Sequence, residues 1–265
     1  MSRLITFTTD FGVSDHFVGA MKGVILGINP EAQLVDICNA VQSFDVLDGA
    51  LTIAESYHYF PPETIHLVVV DPGVGSARRP ILLSTGRHIF LAPDNGVLSL
   101  VYQREERLSV RHLTTQHYFL QPVSQTFHGR DIFAAVAGHL SRGAAPAQFG
   151  EEISDFVRFA APRPKPAADG QIAGVVIKVD KFGNLVTSFT PADIPQLSRG
   201  SFRLRVGKHE ITRACASYSE GDAGEVFAIV GSMGFVEIAA NRGSAARQCE
   251  AGKGSEVILI SPPAP

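Results

Sequence analysis

Hydrophobic positions change their spacing along this chain, and the changes divide it into elements. Leu4-Ile5-Thr6-Phe7-Thr8-Thr9 is a β-branched run that ends at Asp10. Phe17, Val18, Met21, Val24, Ile25 and Ile28 then recur at helical spacing, with Ser14 as the expected N-cap and Asn29-Pro30 as the stop. Residues 33–37 predict a strand. Residues 45–59 predict a helix with Val46, Ala50, Ile53, Ala54 and Tyr57 turned inward. Residues 65–70 are almost continuously apolar, as in a strand covered on both faces. Residues 81–84 and 88–92 predict a hairpin, and residues 131–140 a helix with Asp131 at its N-cap. Strand and helix alternating in this order imply an α/β domain with a largely parallel sheet.

The pattern shifts after about residue 150. A Pro-rich stretch, residues 161–171, predicts an extended linker between a domain of residues 1–160 and one of residues 172–265. The latter shows short β-like runs and no convincing helix: residues 174–179, 185–189, 202–206, 209–213, 226–230, 235–239 and 256–260. Gly and Asp turns between them predict a small antiparallel β-barrel or sandwich.

Composition narrows the function classes. With 45% apolar and 18% charged residues, 265 positions suffice for a real core. A net charge of −3 argues against nucleic acid as a partner. Cys38, Cys215 and Cys249 are too few and too scattered for a disulfide framework or a zinc site, so reduced thiols are expected. No secretory signal and no apolar run of membrane-spanning length is found, which predicts a soluble cytoplasmic protein away from membranes.

Candidate chemistry concentrates where predicted strands end, as expected for ligands of open α/β sheets. Asp10, Asp36 and Asp71 stand at or near three such ends. Each alone could be a turn or helix cap. Asp15 lies in the first turn of the first helix, where it could complement the helix dipole or face a ligand cation. Asp71-Pro72-Gly73-Val74-Gly75-Ser76, followed by Arg78-Arg79, offers close backbone approach plus an acid and a guanidinium. It lacks the Gly-Lys-Ser/Thr of a phosphate loop and the third glycine of a dinucleotide fingerprint. Ala92-Pro93-Asp94-Asn95-Gly96 reads as a turn. In Phe127-His128-Gly129-Arg130-Asp131, His128 is a candidate proton-handling group. Asp180-Lys181-Phe182-Gly183-Asn184 offers a stacking ring, an amide and a carboxylate, or an ordinary hairpin turn. No metal-ligand cluster and no Gly-x-Ser-x-Gly elbow is present.

Read together, these segments resemble the S-adenosylmethionine (SAM) hydroxide adenosyltransferase family, the adenosine-forming SAM hydrolases related to SAM-dependent fluorinases and chlorinases. The carrying stretches also include Met21-Lys22-Gly23-Val24-Ile25, Val35-Asp36-Ile37, Phe44-Asp45-Val46 and Gly231-Ser232-Met233-Gly234. The resemblance implies an N-terminal α/β catalytic domain and a C-terminal β-barrel. It also implies a homotrimer whose sites lie between one subunit's first domain and its neighbour's second. It assigns Asp71, Arg78 and His128 to the water, Asp10 to the ribose diol, and Asp15 and Asp180 to the methionine amino group. Phe182, Asn184, Tyr218 and Asn241 fall near adenine, Ser232 near the methionine carboxylate, and Phe44 at the ribose wall. SAM is the substrate and no cofactor or metal is implied. Asn39 and Met233 depart from the family pattern, and Met233 touches the methionine pocket. A halogenase would need a halide site without a nearby carboxylate, because like charge repels the anion, so Asp71 and His128 favour water. Two further classes compete: a non-catalytic SAM- or nucleoside-binding module, and a metal-dependent hydrolase built on the strand-end acids.

Overall fold

The computed structural model describes residues 4–197 and 201–260. The chain forms two compact units, Met1–Ala160 and Ala161–Pro265.

In the first unit, strands β1 (Leu4–Thr9), β2 (Gln33–Cys38), β3 (Ile65–Val69), β4 (Pro80–Ser84), β5 (Ile89–Pro93), β6 (Ser109–His112) and β7 (Glu152–Ile153) make one sheet of order β2-β1-β3-β5-β4-β6-β7. The first four in that order are parallel. β4 enters between β5 and β6, and the sheet continues antiparallel from there. Helices α1 (Phe17–Ile28) and α4 (Ala135–Ser141) pack on one face, over Ile5, Phe7, Leu67 and Val69. Helices α2 (Val46–Ala54) and α3 (Ser99–Arg104) cover the other, over Val68, Val70 and Phe90. Continuous apolarity in β3 follows from this double cover: all five residues are buried.

The chain leaves β1 for β2 on one side and returns to β3 on the other. The carboxyl ends of β1 and β3 therefore flank a topological switch point, where open α/β sheets form a crevice. Asp10 follows the first of those ends directly, and Asp71 follows the second after Val70.

Several local expectations are corrected. His16, not Ser14, occupies the N-cap of α1, and it makes no side-chain cap. Asp45 does cap α2, accepting from Asp48 N. The helix expected over 45–59 ends at Ala54 with Glu55 as its C-cap, and a 3-10 turn Tyr57–Tyr59 follows. Asp131 is not an N-cap: it is buried within a π-helical turn, Gly129–Ala134, that leads into α4. Its carboxylate instead accepts from Ser124 N at 2.8 Å and from Arg130 Nε at 2.6 Å. The short elements α3, β6 and β7 carry too little periodicity to stand out in sequence.

The second unit contains β8 (Lys165–Pro166), β9 (Ile172–Val179), β10 (Leu185–Thr187), β11 (Leu204–Val206), β12 (His209–Ile211), β13 (Val226–Val230), β14 (Val236–Ala240) and β15 (Glu256–Leu259). Their order β12-β11-β15-β9-β10-β14-β13 is antiparallel throughout, with β8 on β9, so part of the Pro-rich stretch is itself a strand. Just beyond β12, Ala214 bridges Ala228 of β13, which nearly closes the sheet into a barrel. Val176, Leu185, Phe189, Leu204, Val236, Ile238 and Val257 fill the interior. One short helix, α5 (Ala245–Gln248), departs from the all-β expectation; Ser244 caps it through Arg247 N. The three cysteines are free, two of them buried.

Candidate active site

The loop after β3 is tightly folded. Val74 N donates to Asp71 O, and Ser76 N to Gly73 O. Gly75 has φ +78°, and a Cβ there would lie 2.3 Å from the Gln125 carbonyl oxygen. Glycine is thus required for this loop to lie against the segment that leads to His128.

That approach assembles Asp71, Arg78 and His128. Arg78 Nε donates to Asp71 Oδ1 at 2.9 Å, and Arg78 Nη2 donates to Asp71 Oδ2. The same Nη2 donates to His128 Nδ1 at 2.7 Å. The Arg78 and Asp71 side chains are only 8% and 5% exposed, so this is no surface ion pair. Arg78 also lies over the Phe133 ring, with its Cζ 5.7 Å from the centroid. Among the described residues, Arg78 Nη1 is a buried donor with no hydrogen-bond partner.

Guanidinium groups only donate, so His128 Nδ1 must accept. A neutral ring then carries its proton on Nε2. Burial first, and the Arg78 charge second, hold the His128 pKa below the usual histidine value, which favours that neutral ring. The constellation therefore presents a carboxylate, a guanidinium and an Nε2–H donor.

Asp10 accepts from Phe44 N at 2.8 Å through Oδ2. Burial raises its pKa, and the Asp71 charge adds to the effect, which ties Asp10 electrostatically to the same edge. Phe44 is 74% exposed and has φ +65°, a left-handed backbone that costs a phenylalanine about 1–3 kcal/mol. The strain turns its N–H toward Asp10. Sequence reading assigns the ring and misses this amide, since no local signal marks a backbone donor. Asn39 accepts from Thr9 Oγ1 at 2.9 Å and its carbonyl receives Gly12 N, so it fastens the turn that holds Asp10. Asp15 is exposed in the bend before α1. Asp36 is taken by Lys22 at 2.7 Å. Arg79 holds Asp94 and Asp155, and Asn95 Nδ2 donates to Val70 O; these groups build the strand end and lie outside the constellation.

The second unit contains a cavity of about 870 Å³, lined by Asp180, Phe182, Asn184 and Tyr218 among others. Asp180 accepts from Phe182 N and Asn184 N, and Asn184 Nδ2 donates to Asp180 Oδ2 at 2.8 Å. The turn leaves the Phe182 ring 75% exposed. Asn241 Nδ2 donates to Gly221 O at 2.7 Å, holding the loop that carries Tyr218. Ser232 is exposed and Met233 half-buried in the β13–β14 turn. The candidate residues thus form two groups, one in each unit.

Residues 5–150 match the SAM hydroxide adenosyltransferase N-terminal domain, and residues 174–258 match the C-terminal domain of the same family. The chain belongs to the SAM hydroxide adenosyltransferase family. One relative, the (R)-S-adenosyl-L-methionine hydrolase of Salinispora tropica, is 39% identical over 91% of this chain and 92% of its own. A Nocardia brasiliensis fluorinase is more distant, at 26% identity over 92% of each chain. In fold, the chain is similar to an uncharacterized conserved protein from Thermotoga maritima, with a TM-score of 0.87, 35% identity, and 97% and 100% of the two chains covered. Within the SAM hydroxide adenosyltransferase frame, the buried Asp71–Arg78 pair sits in the N-terminal domain and the Asp180 turn in the C-terminal one. No group of three or more His, Cys, Asp or Glu among the described residues could hold a metal ion. No described helix is long and apolar enough to cross a membrane.

Proposed function

We propose that this protein hydrolyses SAM to adenosine and L-methionine by attack of water on C5′. The observation that carries the reading is the Asp71–Arg78–His128 constellation, in a chain similar to named SAM hydrolases over nine-tenths of its length. The substrate supplies its own leaving group. The C5′–O bond forms as the C5′–S bond breaks, sulfur keeps the electron pair, and one proton is released. The protein must position a water and complement developing charge. Asp71 accepts a hydrogen bond from that water and His128 Nε2–H donates to its oxygen. Arg78 fixes both side chains and favours hydroxide character. Asp10 binds the ribose diol beside the strained Phe44, with Asp15 toward the methionine amino group.

The barrel domain supplies Asp180 to the same amino group, Phe182, Asn184, Tyr218 and Asn241 to adenine, and Ser232 to the methionine carboxylate. The working form is a cytoplasmic homotrimer whose sites join residues 1–160 of one subunit to residues 172–265 of its neighbour. SAM is the substrate, and no metal or further cofactor takes part.

The test is incubation with each sulfonium epimer of SAM in ¹⁸O-water, with and without halide, followed by chromatography and mass analysis. Adenosine carrying ¹⁸O at its 5′-hydroxyl is expected, with no halogenated nucleoside. Absence of adenosine, or label confined to methionine, overturns the proposal. Sedimentation of the full chain checks the trimer.

A further inference from the structure

Glu237 is a buried carboxylate that the mechanism above does not use. On β14 its neighbours Val236 and Ile238, and Ala240 beyond, point into the barrel core, so alternation places Glu237 on the outer face. There Cys215, Phe227, Ile229 and Ala239 form a small apolar cluster. Glu237 is 5% exposed in that setting. A carboxylate is a poor choice for packing alone, because burying its charge is costly.

Its contacts point to another role. Oε2 accepts from the Tyr218 hydroxyl at 3.1 Å. A Cβ on Gly231 would lie 1.9 Å from Oε1, so the carboxylate is wedged against the first residue of the turn that carries Ser232. Burial, and then the Asp180 charge, raise the pKa of Glu237. Burial with the Glu237 charge pushes Tyr218 up to about 12, so its hydroxyl remains a donor. Tyr218 and Asp180 both line the cavity, and Glu237 stands behind them.

We infer that Glu237 is a positioning residue: it fixes Tyr218 at the cavity wall and, with Asp180, makes that wall select a cationic sulfonium ligand over a neutral nucleoside. The inference rests on SAM being the substrate. SAM and adenosine share base and ribose but differ in net charge. Paired carboxylates in a partly desolvated wall attract the cation and leave the neutral product nearly unaffected.

The experiment measures kcat and KM for SAM, and calorimetric Kd for SAM and adenosine, in wild type and Glu237→Gln. The variant keeps shape and acceptor and removes the charge. KM and Kd for SAM are expected to rise about tenfold, with kcat and the adenosine Kd within about twofold. The ratio of the two affinities does not depend on the folded fraction. Unchanged SAM affinity, or equal loss for both ligands, would overturn the inference. Tyr218→Phe removes the donor and keeps the charge, so both ligands should weaken together; weakening of SAM alone overturns the role given to Tyr218. If wild type releases no adenosine yet Glu237→Gln still shifts the affinity ratio, the hydrolase reading fails and the role of Glu237 stands. If wild type binds neither ligand, both fail.

Discussion

Asp71 and Asp180 are the same residue type at two strand ends, and the two units use them in opposite ways. Asp71 gives both oxygens to one guanidinium, in a buried pair that also holds a histidine. Asp180 gives both of its oxygens to neutral donors, the amides of Phe182 and Asn184 and the Asn184 side chain. The first arrangement sets charge against charge in a largely buried pair. The second shapes a loop and displays a ring. A carboxylate's chemistry is therefore read from what its oxygens already hold, more than from its position on a strand.

Substitution at the charged end should have the largest effect. Arg78→Ala leaves Asp71 buried without its cation, so stability should fall by about 3–5 kcal/mol in denaturant titrations. Adenosine release should drop about 10²–10⁴-fold. Arg78→Lys should not restore it, because an ammonium cannot fork to Asp71 and reach His128 as well. Next comes the histidine. His128→Ala should lose about 10²-fold in kcat. His128→Gln keeps a donor near the Nε2 position and should recover most of that loss, within about tenfold of wild type. Equal loss in both variants would mean that His128 takes a proton rather than donating a hydrogen bond.

Asp180→Ala tests the other side of the comparison. It should cost about 1–2 kcal/mol through lost turn hydrogen bonds and raise KM for SAM, with a smaller change in kcat than Arg78→Ala produces. A kcat loss as large as that of Arg78→Ala would erase the distinction between the two acids.

A second histidine sharpens the contrast within the first unit. His66 is fully buried toward the amino end of β3, bonded to Thr6 Oγ1 at 2.7 Å, with its Nε2 3.3 Å from His88 Nδ1. Burial, with the nearby His88, lowers its pKa from 6.5 to about 3. The unfolded chain therefore binds the extra proton. Its contribution is complete above the unfolded pKa near 6.5 and is lost as pH falls from there toward about 3. Urea midpoints should decline between pH 7 and pH 5, and His66→Gln should flatten that decline. The smallest effect belongs to the exposed Lys22–Asp36 pair: Lys22→Met should change stability by less than about 1 kcal/mol.

Long periodic segments are legible in the sequence. α1, β3 and the β4–β5 hairpin follow from apolar spacing, and the division near residue 160 from the Pro-rich stretch. Asp71, Arg78 and His128 each stand out locally, but their convergence does not, because Gly75 meeting Gln125 is a contact between distant segments. Asp131 reads as a helix cap because helix-start rules see only neighbours, whereas Ser124 and Arg130 reach it by tertiary folding. Glu237 is invisible for a related reason. In an alternating strand an acid is expected to face water, and here a loop covers that face.

The π-helical turn Gly129–Ala134 has one more consequence. A π turn holds an extra residue within its hydrogen-bonded ring, so it sets an angular phase between His128 and α4. Deleting a single residue from this stretch would let its hydrogen-bonding relax toward that of an ordinary α-helix. The imidazole would then be rotated by about 100° from its place at Arg78. Such a shortened chain should turn over far more slowly, and it should also lose stability, because five of the six residues in the stretch are buried. The spare residue acts as a timing mark for the imidazole.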